Sequence, residues 1–184
     1  MALNQWMHPR NPYKTPPDFK AMAIAFSDFR KFVKQDITGK VKLDFSNPAA
    51  LACLAATLFK KDFDLVVEVP PTGLIPTLPS RLNYLLWVED LLSTLPKQAT
   101  ENASKEVRGL DIGTGATAVY PLLATKHLGW TMIGTEASPE SVATAKANVA
   151  RNNLDGKVLT SVQSSFSDIN PVCSRFQAIS HTNV

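Results

Sequence analysis

An apolar run, Val107-Arg-Gly-Leu-Asp-Ile, passes into a turn built on Gly113, Thr114 and Gly115, and Asp111 stands just ahead of that turn. A second apolar run, Trp130-Thr-Met-Ile-Gly-Thr, is closed by Glu136. Glycine carries no Cβ, so a turn of this kind lets backbone N–H groups approach a ligand. An acidic residue at the tip of the next strand, about 20 residues on, is placed to hold the two hydroxyls of a ribose. Together these residues describe a pocket for an adenosine-containing cofactor.

The spacing separates candidate cofactors. A turn that grips a pyrophosphate wants a third glycine, so that the helix starts tight against the strand and aims its positive end at phosphate. Here that position is Ala118, and the carboxylate of Asp111 is a poor neighbour for a dianionic bridge. It suits the amino-acid half of S-adenosylmethionine. A nicotinamide dinucleotide, and a tight strand-to-helix turn with no ligand at all, remain as competing readings.

Elements that position these residues follow from the pattern. The back half alternates: a strand over 107–112, a helix over 116–128, a strand over 131–135, a helix over 139–152 capped by Ser138, and a strand over 158–162. Right-handed crossovers on a parallel sheet bring the glycine turn and Glu136 to one edge. Ahead of it, residues 79–92 predict a helix capped by Ser80, with Leu82, Leu85, Leu86, Trp87 and Leu92 on its buried side. Arg81 falls in its first turn, where the helix dipole disfavours a cation, which makes it a candidate to bind a ligand carboxylate, with an exposed arginine of no consequence as the competing reading.

The front of the chain is different. Pro9, Pro12, Pro16 and Pro17 predict an extended arm to about Phe19, followed by helix-like periodicity over 19–33 and a turn at Thr38-Gly-Lys40. Asn47-Pro48 opens a further helix, and residues 65–69 read as a short strand ended by Pro70-Pro71. The expected division is a basic arm and helix over 1–40, an α/β extension over 41–103, a partial cofactor fold over 104–170 and an irregular tail over 171–184.

With 184 residues, 45% hydrophobic and 19% charged, the chain is long enough for a sizeable core. It has no apolar run of membrane-spanning length, and its N-terminus lacks an apolar signal core, so an intracellular protein without a membrane partner is expected. Cys53 and Cys173 are expected as reduced thiols, and the sparse histidines and cysteines predict no metal site. Net charge is +3, but residues 1–42 hold eight basic side chains against three acidic ones. That asymmetry is a footprint for a polyanion, with a plain solvated surface as the competing reading. Arg10 and Lys14 lie there with Trp6, His8 and Tyr13, which could stack on unpaired bases.

Eight collinear motifs carry a resemblance: Met7-His-Pro-Arg-Asn11, Tyr13-Lys14, Pro16-Pro-Asp-Phe19, Leu74-Ile-Pro-Thr77, Arg81-Leu-Asn-Tyr84, Trp87-Val-Glu-Asp-Leu91, Asp111-Ile-Gly-Thr-Gly-Ala116 and Tyr120-Pro-Leu-Leu123. As a set, from the N-terminus to about Leu154, they resemble the methyltransferase-like protein 16 family of RNA adenine-N6 methyltransferases, related to a bacterial ribosomal RNA enzyme. The resemblance implies an incomplete Rossmann-like, S-adenosylmethionine-dependent α/β fold with an N-terminal α/β extension. It implies cofactor contacts from Arg81, Asp111, Gly113, Thr114, Gly115 and Glu136, with Ser167 near the adenine. It also implies RNA contacts from Arg10, Lys14, Pro16, Pro17, Asp18 and Phe19. The implied partner is a structured hairpin of the U6 small nuclear RNA type, and the implied location the nucleus, with the cytoplasm second.

The family also carries an Asn-Pro-Pro-Phe motif after its fourth strand. This sequence has none; Asn170-Pro171-Val-Cys173 comes nearest and reads as a turn. The expectation is therefore a shortened chain that holds three of the seven strands of its class, assigns no catalytic residue and transfers no methyl group. A catalytically dead RNA- or cofactor-binding fragment is the alternative. In the family fold the fourth strand pairs with the first, so residues 107–112 are expected to form an apolar sheet edge.

Overall fold

The computed structural model describes residues 5–95, 106–163, 174 and 176, so Ser167, the segment 170–173 and residues 97–105 lie outside the described part. The proline-rich arm is not simply extended. Asn11, 2% exposed, caps a single 3-10 turn over Pro12–Lys14 and donates to the Pro79 carbonyl at 2.9 Å. Buried Tyr13 donates its hydroxyl to Asp62 at 2.9 Å. The arm is thus bolted to the body at its middle.

The helical stretch expected over 19–33 is two short helices, α1 (Phe19–Ala25) and α2 (Ser27–Arg30), followed by strand β1 (Val33–Gln35). Asp18 caps α1 by accepting from the Lys20 and Ala21 N–H groups. The break falls at Phe26, which is extended, and the Arg30 side chain folds back onto the Ala23 and Ile24 carbonyls near the end of α1. β1 pairs antiparallel with β2 (Val41–Leu43), and the hairpin turns through Gly39 at φ +83. Asp36 fixes that turn, accepting from Thr38 and Lys40 and pairing with Lys42 at 2.9 Å.

Helix α3 (Pro48–Phe63) starts as the sequence indicates, with the Asn47 side chain accepting from the Ala49 and Ala50 N–H groups. Helix α4 (Leu78–Ser93) differs from expectation at both ends of the argument. Its cap position is Thr77, which makes no side-chain cap bond, and Ser80 lies inside the first turn. Leu78, Leu82, Leu85 and Leu86 form the buried face, while Trp87 and Leu92 are 53% and 36% exposed. Trp87 shares the other face with Tyr84 and Leu91, three and four residues away.

Strands β3 (Arg108–Ile112), β4 (Thr131–Glu136) and β5 (Val158–Val162) form a parallel sheet in the order β3-β4-β5, connected through helices α5 (Val119–Leu128) and α6 (Pro139–Arg151). β4 is central and buried on both faces up to Glu136, as parallel strands are, with Thr131 and Thr135 buried beside Met132 and Ile133. β3 stands at the margin of the described sheet, and Ile112 at its end is 53% exposed. α5 begins three residues later than expected because 113–118 are consumed by the turn, whose last residue, Ala118, adopts φ +49. Ser138 caps α6 as predicted, accepting from the Ser141 N–H.

Residues 65–69 are extended but join no sheet. Their ladder is made by two asparagine side chains four residues apart, Asn148 on α6 and Asn152 at its C-cap. Asn152 accepts from the Val66 N–H at 2.8 Å and donates to the Val66 carbonyl at 2.9 Å. Asn148 does the same for Glu68, at 2.8 and 3.0 Å. Val66 and Glu68 point one way along the run, so Leu65 and Val67 turn into the core, at 0% and 6% exposure. One apolar cluster runs from Tyr13 through Phe29, Phe59, Leu82 and Leu122 to Val158, so the front elements and one face of the sheet share a core. The other face carries Ile133 with Leu110 and Leu159.

Candidate functional site

A cleft of about 290 Å³ opens where the end of β3 meets the first turn of α4, close to the lower bound of roughly 300 Å³ for small-ligand sites. Its floor is the 113–117 turn with Asp111 and Ile112. Its other walls come from Arg81, Tyr120 and the loop bearing Pro70, Gly73, Leu74 and Pro76. The structure therefore brings Arg81, Asp111, Gly113, Thr114 and Gly115 together, as residues expected at one site. Gly113 and Gly115 sit at φ +80 and +67, which explains the residue type at both positions.

The turn does not present its amides in the way the sequence suggested. Gly113 and Thr114 donate to the Thr135 carbonyl at 2.8 and 2.9 Å, and Gly115 donates to Glu136 Oε2 at 3.0 Å. These three N–H groups fasten the turn to the end of β4. Gly134 allows this: a Cβ there would meet the Thr114 side chain at 3.0 Å. Further polarity in the cleft comes from side chains. Arg81 Nε and Asp111 Oδ2 are buried without a hydrogen-bond partner among the described residues. Buried polar atoms are rarely left in that state, so a ligand that offers an acceptor to one and a donor to the other fits. A zwitterion has both.

The two charges are held rather than loose. Arg81 donates from Nη1 to the Tyr120 hydroxyl at 3.1 Å, and its guanidinium carbon lies 5.5 Å from the Tyr120 ring centre. Tyr120 in turn meets Tyr84 edge-on. Burial pushes the Asp111 carboxyl above its ordinary value; Thr114 and Arg81 pull it back, and Glu136 adds to the rise. Glu136 itself does not line the cleft. Its carboxylate accepts from Gly115, Ala137 and Ser138, so it serves as a staple between the glycine turn and the start of α6. Of roughly four lone-pair sites on a carboxylate, three are filled.

The residues marked for a polyanion separate into two groups. Pro16, Pro17, Asp18 and Phe19 line a shallow groove of about 700 Å³ together with Lys20, Lys40, Lys42 and Phe45. Phe19 and Phe45 stand 6.3 Å apart, centre to centre, and Phe45 is 46% exposed. Lys20 and Lys40 form no ion pair among the described residues, whereas Lys42 is paired with Asp36. Arg10 is elsewhere. Its guanidinium bridges Glu89 and Asp90 of α4, each at 2.5 Å, and His8 reaches Asp90 at 2.7 Å. Lys14 is exposed at the end of the 3-10 turn and does not line the groove. Lys40 belongs to the basic footprint of residues 1–42, but only the hairpin sets it and Phe45 beside Phe19; nothing in the linear sequence marks Phe45 or gives Tyr120 a role.

Comparison with known proteins gives these features a context. A sequence model described as RNA methyltransferase matches residues 1–175. The chain is 44% identical over 159 residues to the U6 small nuclear RNA (adenine-(43)-N(6))-methyltransferase of Caenorhabditis elegans, covering 86% of this chain and 32% of that protein. It is 44% identical over 155 residues to the RNA N(6)-adenosine-methyltransferase METTL16 of Homo sapiens, covering 84% and 27%. The chain thus spans about a third of the length of these curated relatives. Among solved structures, the N-terminal domain of human METTL16 in complex with SAH superposes with a TM-score of 0.78 at 40% identity, covering 87% of this chain and 60% of that one. The human catalytic domain in complex with MAT2A 3'UTR hairpin 6 superposes with a TM-score of 0.79 at 39% identity, covering 86% and 54%. These neighbours are methyltransferase domains, and the parallel sheet with its flanking helices is Rossmann-like. The chain belongs to the RNA methyltransferase family.

Proposed function

We propose that this chain supplies the cofactor cleft and part of the RNA-binding surface of an S-adenosylmethionine-dependent RNA adenine-N6 methyltransferase acting on a structured hairpin of the U6 type, in the nucleus. One observation carries the cofactor assignment: two residues that line one cleft, Arg81 and Asp111, each hold a buried atom without a hydrogen-bond partner among the described residues, Nε and Oδ2, of opposite polarity. Arg81 would hold the carboxylate of the methionine moiety and Asp111 its ammonium. The one lone-pair site left on Glu136 suits a ribose hydroxyl. When bound, the cofactor supplies an electrophilic methyl group on a sulfonium. The residues described here orient it and contribute no proton transfer. The human relative solved with SAH supports the same reading.

RNA is proposed to lie along the groove of Phe19 and Phe45, with Lys20 and Lys40 toward phosphate and the rings available for stacking. Arg10 would contribute by holding the arm against α4. No Asn-Pro-Pro-aromatic tetrapeptide occurs in the 184 residues, which favours a chain that binds cofactor and RNA without completing transfer. Engagement of the three turn amides argues against a nicotinamide dinucleotide, whose pyrophosphate needs such donors. Calorimetric titration with S-adenosylhomocysteine and NAD tests the cleft: heat with the first alone is the expected result, and binding of neither overturns it. Incubation with labelled S-adenosylmethionine and hairpin RNA tests activity; no methyl incorporation is expected, and sustained turnover would refute the inactive reading.

A further inference from the structure

We infer that Asn148 is a positioning residue for the cleft: from α6, outside the pocket, its side-chain amide ties the loop wall of the pocket to the glycine-turn floor. This rests on the cofactor reading above. Asn148 is 0% exposed and spends all its hydrogen-bonding capacity. Its Nδ2 donates to the Glu68 carbonyl at 3.0 Å and to the Ala116 carbonyl at 3.3 Å, and its Oδ1 accepts from Glu68 N–H at 2.8 Å and Arg151 Nη1 at 2.6 Å. Glu68 stands two residues before Pro70, where the loop wall of the cleft begins, and Ala116 is in the floor itself.

Among the described residues the turn amides are otherwise fastened toward β4 and Glu136, and the run before the loop is held by α6, its C-cap Asn152 and, at Leu65, by the Phe59 carbonyl of α3. Asn148 is the side chain that bonds to both. Asn152 makes the equivalent pair with Val66 and a bond to the Asn148 carbonyl, but it touches nothing in the turn. The two asparagines hold the same run; Asn148 is fully buried and Asn152 half-buried, and among the described residues Asn148 alone of the two is linked to the floor. An aspartate at 148 keeps the acceptor for Glu68 N–H and sets an oxygen against two carbonyls, which separates the walls.

The test compares N148D with N152D in the full chain, with Asn148→Ala as an uncharged second variant should N148D not fold. Two readouts are taken: calorimetric affinity for S-adenosylhomocysteine, and the backbone resonances of Gly113 and Gly115 in glycine-labelled protein. Changes at 148 should weaken binding by about tenfold, the worth of one buried hydrogen bond, and shift both resonances. N152D should leave affinity within about twofold and both resonances in place, although it loses a similar bond set. Equal affinity in a folded 148 variant, or an equal loss in N152D, overturns the inference while sparing the cofactor reading. A wild-type chain that binds no S-adenosylhomocysteine overturns the cofactor reading and this inference with it.

Discussion

Replacing Asp111 with Asn should weaken the ligand and strengthen the empty protein, and the structure gives both signs. The Asp111 Oδ2 atom is buried with no donor among the described residues, so in the empty cleft that oxygen is unmet, and Thr114 and Arg81 only partly offset the burial of the charge. A charge-assisted bond to a ligand ammonium is worth about 1.5–3 kcal/mol, which corresponds to roughly 10- to 150-fold in Kd for S-adenosylhomocysteine. For the empty protein, burial is the largest influence on this carboxyl and raises it; Thr114 and the Arg81 guanidinium act against that rise without cancelling it. The folded chain therefore keeps a proton at pH values where the unfolded chain has already released it. Stability falls as pH climbs from the ordinary value of 3.8 through the raised one, and stays lower above it. Asn carries no such cost. Thermal melts of D111N and wild type at pH 3.5 and pH 7 should show the difference growing in favour of D111N at the higher pH, alongside the calorimetric loss of ligand. Affinity within twofold of wild type, or a stability difference that does not grow with pH, would refute the reasoning.

Three further outcomes follow from the geometry. Lys40→Glu should weaken hairpin RNA in fluorescence anisotropy and lower the slope of log affinity against log salt by about one unit, because an unpaired groove cation is lost; an unchanged slope counts against the groove. Gly134→Ala should reduce S-adenosylhomocysteine affinity, since the new methyl meets Thr114 at 3.0 Å and the turn must give; unaltered binding in calorimetry would show that the turn is looser than described. Burial, together with Asp62, holds the Tyr13 hydroxyl far above its ordinary value of 10.0, so of the three tyrosines Tyr13 should keep its proton in an ultraviolet titration while the fold persists. Because the unfolded chain releases that proton first, stability should decline as pH rises past 10, and a Tyr13→Phe variant should lack that decline.

What could be read directly from residues was local chemistry. Asn47-Pro48 and Ser138-Pro139 announce their helices because a side-chain acceptor satisfies an orphan donor of the first turn and a proline removes another wherever they occur. The glycine turn and the parallel strands are legible for a similar reason: positive φ at Gly113 and Gly115 admits few residue types, and β4 carries no charge before Glu136 at its end. Ser80 misled because a cap residue works only at the boundary, and tertiary contacts of Leu78 carry α4 past it. Residues 65–69 looked like a strand because their alternation is that of any extended run with one face buried. That the partners would be Asn148 and Asn152 was signalled only by two asparagines at helical spacing beside the apolar positions Ala145 and Val149. Arg10 and Glu136 show the wider limit: charge and position nominate a residue for a ligand, but nothing in the linear sequence reveals that Glu89, Asp90 or three backbone amides reach it first.

The fastening of the glycine turn onto the Thr135 carbonyl and Glu136 also bears on how such a cleft could change its taste over evolutionary time. Placing glycine at 118 would relax a left-handed backbone angle and complete the dinucleotide consensus on paper. It would not free the N–H groups of 113–115, which are committed to the end of the neighbouring strand. Switching ligand class would first require rebuilding the tip of β4, so the loyalty of this fold to its substrate is written in a strand terminus and not in the loop by which such folds are commonly classified.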